Sequence, residues 1–365
     1  MLVIGKMSTP PKVTNAKVIK SGAWYIAANL VVKGMTLIST PIFTRLLTKE
    51  EFGNFSNWMS WTHIAIIVIT MKMESTLISA KFDYNSRLNQ YNLSVLGLTA
   101  GLTAFWTLLI NLFSSFFVDL TGVRLAYMNM MLMYCFFHAV VTFYQITERF
   151  FYRYKRSVAI SLFIAISSTI LSVLLVINMQ NRLTARILGG ILPVIAMGAI
   201  LFLDFIKNGK KIDTAVWPYA LKICIPYVPH LLSLMVLSSV DRIMITRICG
   251  AADNAMYSVA YTCGHMVTLL LVSMNSAFAP WIGDKLNEKQ YTQIRRVSKY
   301  YILLFCGIAI PMMLLAPEIL LFMGGKRYLG AMYVMVPVSL GCVCQFLYTL
   351  FVNVEQFEKK TIGMA

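Results

Sequence analysis

The chain has 365 residues, of which 58% are hydrophobic and only 13% charged, with a mean hydropathy of +0.69. That is about half the charge of a soluble domain, and it excludes a single globular core. The formal charge of +17 is spread between apolar runs rather than gathered on one basic domain, which excludes nucleic acid as a partner and points to membrane topology.

The apolar residues fall in long runs, not in the short alternating segments of an outer-membrane barrel. Residues 1–20 hold Lys6, Lys12, Lys17, Lys20 and Pro10-Pro11, with no apolar stretch ahead of a small-residue cleavage site. The first spanning helix therefore serves as its own targeting signal, and Met7 is an alternative start. Ten runs are long enough to span: 22–43, 54–71, 93–118, 125–147, 157–178, 184–206, 219–240, 255–278, 298–316 and 329–352. The expected fold is all-α and polytopic, with about ten transmembrane helices.

Lys33 lies midway through the first run, where a cation costs on the order of 2.5–3.5 kcal/mol. It is either an anion-binding cation in a transport path or a buried or snorkelling ion. After this run comes Thr44-Arg45, with an acid at Glu51, Gly53, and then Phe55-Ser56. The same pattern returns at Thr246-Arg247, with Asp253, Ala255 and Tyr257-Ser258. This echo marks a duplicated membrane unit. The turn reads as structural: Arg45 near the headgroups, Thr48 or Asn54 available as caps, and Gly53 giving a close bend into the next helix.

With the N-terminus in the cytoplasm, the inner loops and terminus hold about 22 basic residues against about nine outside, which supports that orientation. The inner rim after the fourth run is basic, with Arg149, Arg153, Lys155 and Arg156 following Glu148. Its residues read as topological, and as a cluster able to gather an anionic lipid headgroup. The halves divide into a six-helix bundle over 1–206, a cytoplasmic linker at 207–218 and a second bundle over 219–365. The second bundle is expected to be incomplete, because the chain stops at what reads as the start of an eleventh helix.

In the seventh run, Pro226 and Pro229 each remove a backbone donor, so a kink or partial unwinding is expected. His230 follows as a candidate proton sensor or a structural histidine. Asp241-Arg242 closes the run, either as a cavity pair in which Arg242 holds a phosphate or as a pair at headgroup level. Residues 279–297 read as an amphipathic helix on the inner leaflet. Seven cysteines without a CxxC pair or a His-flanked cluster indicate neither disulfides nor a metal site, and no catalytic motif or cofactor fingerprint stands out.

Arg45-Leu46-Leu47-Thr48-Lys49-Glu50-Glu51-Phe52-Gly53 resembles the R-x-L-x-x-x-x-[FY]-G turn of Wzx-type polysaccharide flippases. Ile225-Pro226-Tyr227-Val228-Pro229, Asp241-Arg242 and Ala255-Met256-Tyr257-Ser258-Val259-Ala260-Tyr261 are similar to the P-x-x-P, DR and G-x-Y-x-x-A segments of the same family, with Ala255 where Gly is usual. That family belongs to the multidrug/oligosaccharidyl-lipid/polysaccharide exporter superfamily. The resemblance implies a non-enzymatic protein of the bacterial inner membrane with two helix bundles and alternating access. Its implied substrate is an undecaprenyl-diphosphate-linked oligosaccharide, with membrane lipids as further partners and a proton or sodium ion for coupling. A cavity holding Lys33 and Arg242 would then neutralise the diphosphate. The alternatives are a multidrug-type exporter of cations, which favours acidic cavity residues, and a membrane polymerase or ligase, which needs a large catalytic outer loop.

Overall fold

In the computed structural model, residues 15–151 and 153–357 are described, and among them every regular element is helical. The α-helices are α1 (Asn15–Leu46), α2 (Lys49–Thr70), α3 (Leu77–Asp83), α4 (Leu88–Leu112), α5 (Ser114–Thr121), α6 (Leu125–Phe150), α7 (Tyr154–Asn178), α8 (Arg182–Gly209), α9 (Trp217–Ile248), α10 (Ala251–Gly264), α11 (Met266–Asn287), α12 (Tyr291–Leu314), α13 (Ala316–Gly324) and α14 (Met332–Phe357). Each of the ten apolar runs falls on this helical framework. Among the described residues, seven helical segments are long and apolar enough to cross a membrane, and eight if the bent pair at residues 49–83 counts as one span, against the ten runs read from the sequence. On α7 the exposed residues Phe163, Ile166, Ile170, Leu174 and Ile177 recur at helical spacing. This is the face such a helix turns to lipid rather than to water.

By packing, the chain forms two compact units. The first takes residues 1–39 and 54–250, and the second residues 40–53 and 251–365. This division differs from the boundary expected at 207–218. That stretch is not a free linker, because it is pinned to α4. The Asp213 amide donates to Ser94 Oγ (2.7 Å) and the Trp217 indole N–H to the Ser94 carbonyl (2.9 Å). Helix α9 accordingly belongs to the first unit, although by duplication it opens the second half.

The first unit has two apolar centres. One gathers Met73, Leu77, Tyr91, Phe143 and Phe205, and the other Trp58, Met131, Leu132, Ile187 and Ile191. Helices α7 and α8 meet at backbone distance, since a Cβ on Gly189 would lie 2.3 Å from Ser172 Cα. In the second unit, α10, α13 and α14 surround the buried Tyr328, and α12 meets α14 through the stacked rings of Phe305 and Phe346 (4.1 Å). Residues 279–297 do not form an interfacial helix. They are the end of α11 and the start of α12, and Phe278, Ile282 and Leu286 are buried against Ile294 and Val297. Ile282, Leu286 and Ile294 thus find protein partners, while Tyr291 stays 63% exposed.

The repeated turn is structural in both copies, by different local chemistry. At the first, Thr48 and Glu51 form a reciprocal capping box: Glu51 N–H donates to Thr48 Oγ1 (3.1 Å) and Thr48 N–H to Glu51 Oε2 (2.8 Å). At the second, Gly250 adopts φ +101°, and its amide and that of Cys249 both donate to the Ile245 carbonyl, a left-handed close to α9.

The two arginines serve one purpose. Within the second unit, Arg45 donates to the Phe322 carbonyl (2.9 Å), near the end of α13. Within the first, Arg247 donates to the carbonyls of Asp119 and Leu120 (3.0 and 2.9 Å), near the end of α5. Helices α5 and α13 hold equivalent places, each between a long helix and the next. Each therefore receives an arginine at its negative end, where a cation is favoured. Each arginine is thus bound to a helix end. We expect Arg45→Ala and Arg247→Ala each to lower stability by about 1 kcal/mol. The losses should add, because the two share no partner; thermal unfolding of the purified protein measures this.

Candidate functional site

A cavity of about 480 Å³ opens inside the first unit, between the middle of α1, the start of α2, and α6, α7 and α8. Its size falls in the range of small-ligand sites. Three aromatic side chains line it, Phe55, Trp58 and Tyr134, together with Gln145, Ser161, Ser168, Thr142, His138 and Arg186. No Asp or Glu is among the described lining residues.

Arg186 is the cation of this cavity, and its surroundings fix it. Asn181 caps α8 by accepting from the Thr184 amide (3.0 Å), which places Arg186 just beyond the first turn. Gly189 then lets α7 approach closely enough for Arg186 Nη1 to donate to Ser172 Oγ (2.8 Å). The guanidinium lies over the ring of Phe55, 4.4 Å from its centroid, a cation–π contact. A cation near the N-terminal end of a helix opposes the helix dipole. The position therefore stabilises an arriving anion twice, through the guanidinium and through the helix.

The polar lining is organised as a hydrogen-bonding wall. Gln145 Nε2 donates to Ser161 Oγ (2.9 Å), and Ser161, Thr142 and Thr169 each donate to a carbonyl one turn earlier. Their hydroxyl oxygens retain lone pairs for a ligand's donors. Trp58 is anchored by its indole N–H on the Tyr127 carbonyl (2.9 Å), so its ring is held rather than mobile. His138 stacks obliquely on Tyr134 (5.4 Å), and its Nδ1 is buried without a hydrogen-bond partner.

Of the residues singled out from sequence, Asp241, Arg242 and His230 are not among the lining of this cavity. Lys33 lies on α1, but its side chain falls outside the described residues. Asp241 and Arg242 are half-buried on α9, where Asp241 Oδ1 accepts from the Arg242 amide (2.8 Å). Arg242 lies within electrostatic reach of His63 on α2. His230 is exposed and stacks on Tyr227 (6.1 Å). Along α9 it is about 18 Å from Arg242, so the two do not form one site. The expected unwinding at Pro226 and Pro229 does not occur, because α9 is helical throughout. Each proline removes one backbone donor without interrupting the helix, and one turn on, Ser233 Oγ donates to the Pro229 carbonyl (3.0 Å).

The inner rim is also not a free basic cluster. Arg153 and Arg156 stand 3.7 and 3.9 Å from the carboxylate of Glu148, which is 1% exposed. They compensate a buried charge, while Arg149 and Lys155 remain exposed. All seven cysteines are free, and no group of metal ligands occurs among the described residues.

Arg186 and His138 were missed in the sequence. Arg186 sits at the edge of an apolar run and counts there as an outer-loop cation. The available signal was Gly189-Gly190, three and four residues on, which marks a close helix contact beside that cation.

The comparisons agree with this architecture. Among solved structures, the Vibrio cholerae MATE transporter VcmN in its bent form is 13% identical and covers 94% of this chain and 83% of that one, with a TM-score of 0.52. An inward-facing multidrug resistance MATE family transporter of the MOP superfamily is 12% identical over 91% of this chain and 89% of that one, with a TM-score of 0.56. The chain thus has the fold of these transporters. A protein of the Lsg locus of Haemophilus influenzae is 21% identical, covering 92% of this chain and 84% of that protein. An uncharacterised membrane protein of the same organism is 22% identical over 94% of this chain and 85% of its own length. The MatE family matches residues 226–361. The polysaccharide biosynthesis protein family matches residues 18–286, and with most of its length inside that match the chain belongs to this family of membrane transporters.

Proposed function

We propose that the protein carries a lipid-linked oligosaccharide across the bacterial inner membrane, with its N-terminus in the cytoplasm, and that the cavity of the first unit receives the charged headgroup. The observation that carries this reading is Arg186, held over Phe55 in a cavity lined by hydroxyls, an amide and aromatic rings but by no carboxylate. A phosphate–sugar headgroup cannot enter hydrocarbon alone, since an unpaired charge there is very costly. A guanidinium offers a forked match to phosphate oxygens. Aromatic faces and hydroxyl acceptors match the C–H faces and hydroxyls of a sugar. The family match supports the same substrate class. The protein transports rather than catalyses, and an undecaprenyl-diphosphate carrier is the lipid that the sequence resemblance suggests. A proton or sodium gradient is the proposed coupling source.

The MatE match keeps a second reading in play, the export of small cations. Arg186 in the cavity repels a cationic drug, and no carboxylate stands among the described lining residues to offset it, so the anionic substrate is favoured. The test is to delete the gene in its host. Lipid-linked repeat units are expected to accumulate on the face where they are made, with loss of surface glycan, and both are restored by the intact gene. Unchanged surface glycan together with new sensitivity to cationic dyes would replace this reading by the second.

A further inference from the structure

A second basin lies at the end of the first unit where α8 stops and α4 begins, on the side that the loop charges assign to the cytoplasm. Its volume is about 970 Å³, and Arg87, Lys210 and Lys211 line it together with Ser86, Asn85 and Asn208. One carboxylate, Asp83, is also in the lining, and it accepts a hydrogen bond from the Tyr219 hydroxyl (2.5 Å). The lining is therefore net positive.

The basin is built, not a chance meeting of loop cations. A Cβ on Gly209 would lie 2.6 Å from Leu93 Cβ and 2.9 Å from the Asn89 carbonyl, so only glycine lets α8 end directly on α4. That contact delivers Lys210 and Lys211 beside Arg87. The following residues are locked by the Asp213 and Trp217 bonds to Ser94. Lys210 itself is held at φ +63°, a conformation that costs a side-chain-bearing residue energy and suits glycine better. The short helical turn at Asn85–Arg87 that leads into α4 begins at Tyr84 without a side-chain cap. Phe82 (77% exposed) lines the basin, and Leu203 (66%) and Ile206 (46%) in the last turns of α8 also present apolar surface, as suits the border between headgroups and hydrocarbon.

We propose that this basin binds the phosphate of an anionic phospholipid headgroup from the inner leaflet. The three cations supply the charge, and the side chains of Ser86, Asn85 and Asn208 supply neutral donors. The exposed Phe82 and the end of α8 lie against the acyl chains. This site is separate from the cavity around Arg186 and does not rest on the transport reading.

The test uses the full-length protein in nanodiscs of mixed phosphatidylglycerol and phosphatidylcholine, with retained lipid counted by native mass spectrometry. Wild type is expected to retain phosphatidylglycerol selectively. Arg87→Gln and Lys211→Gln should each weaken the selectivity about fivefold, the factor that one basic residue near an anionic surface contributes. Lys210→Gly is the decisive variant, because it removes a charge and relieves the backbone. It should lose selectivity while its thermal midpoint stays equal or rises. Arg87→Lys, which keeps the charge, should retain most of the selectivity. Selectivity unchanged in the combined Arg87→Gln, Lys210→Gly and Lys211→Gln protein overturns the proposal. So does displacement by millimolar inorganic phosphate with no preference between the two lipids, which would assign the basin to a soluble anion.

Discussion

Arg186→Gln should slow translocation of a lipid-linked oligosaccharide by about 10- to 100-fold, with the folded protein present in normal amount. The range follows from the roughly 1.5–3 kcal/mol of a hydrogen bond to a charged group, at 1.4 kcal/mol per tenfold. Glutamine keeps a polar side chain and the aliphatic stem while it loses the charge and the Nη1 bond to Ser172 Oγ (2.8 Å). Arg186→Lys should fall between the two, since an ammonium keeps the charge but not the planar fork or the stacking over Phe55. Translocation rates, paired with thermal unfolding of each variant, separate loss of binding from loss of fold. If the variants move cationic dyes no better and no worse than wild type, the charge at 186 is specific to the anionic substrate.

The second large effect is on stability. Gly53→Ala should destabilise the protein by about 3 kcal/mol, at the upper end of overpacking costs. A Cβ at this position would lie 1.7 Å from the Ala251 carbonyl oxygen and 2.6 Å from its carbon. Both are backbone atoms, which cannot swing aside as a side chain can. The same contact carries a hydrogen bond, from Asn254 Nδ2 to the Gly53 carbonyl (2.9 Å), so separating the helices also strands a buried amide. By contrast, Gly190→Ala meets only the Arg186 Nη1 atom at 3.9 Å. It should be neutral or stabilising by a few tenths of a kcal/mol, through helix propensity. Unfolding midpoints of the two variants in the same detergent make the comparison.

These effects show which features the sequence could reveal. The apolar runs were legible because a bilayer demands about 20 consecutive apolar residues, a signal that survives any detail of packing. The Thr-Arg echo was legible as a repeat, and its equivalence is visible in the matching bonds of Arg45 to α13 and of Arg247 to α5. What those arginines bind was not legible, because the acceptors lie far along the chain. Gly53 was expected to give a bend; it sits instead inside α2, where another helix start crosses it. The unit boundary was misplaced for a similar reason. Chain order places α9 with the second half, while the bonds to Ser94 and the grip of Arg247 hold it in the first unit. The site was the least legible part. The resemblance drew attention to Asp241-Arg242 and the prolines, whereas the cavity is completed by Arg186, a residue that composition alone counts among loop cations. At the rim the charges were legible, but not that Arg153 and Arg156 face the buried Glu148, because burial is set by the packing of α6.

The most direct test of the account is translocation by the purified protein in vesicles. A lipid-linked oligosaccharide is loaded in both leaflets, and its exposure to a glycan-cleaving enzyme that cannot cross the membrane is followed over time. Wild-type vesicles should expose the inner-leaflet pool, and vesicles with Arg186→Gln should do so much more slowly. Exposure in wild-type vesicles no faster than in protein-free vesicles, with the reconstituted protein folded and a proton or sodium gradient applied in turn, would contradict the transport of this substrate. Equal rates for wild type and Arg186→Gln would contradict the role given to the cavity.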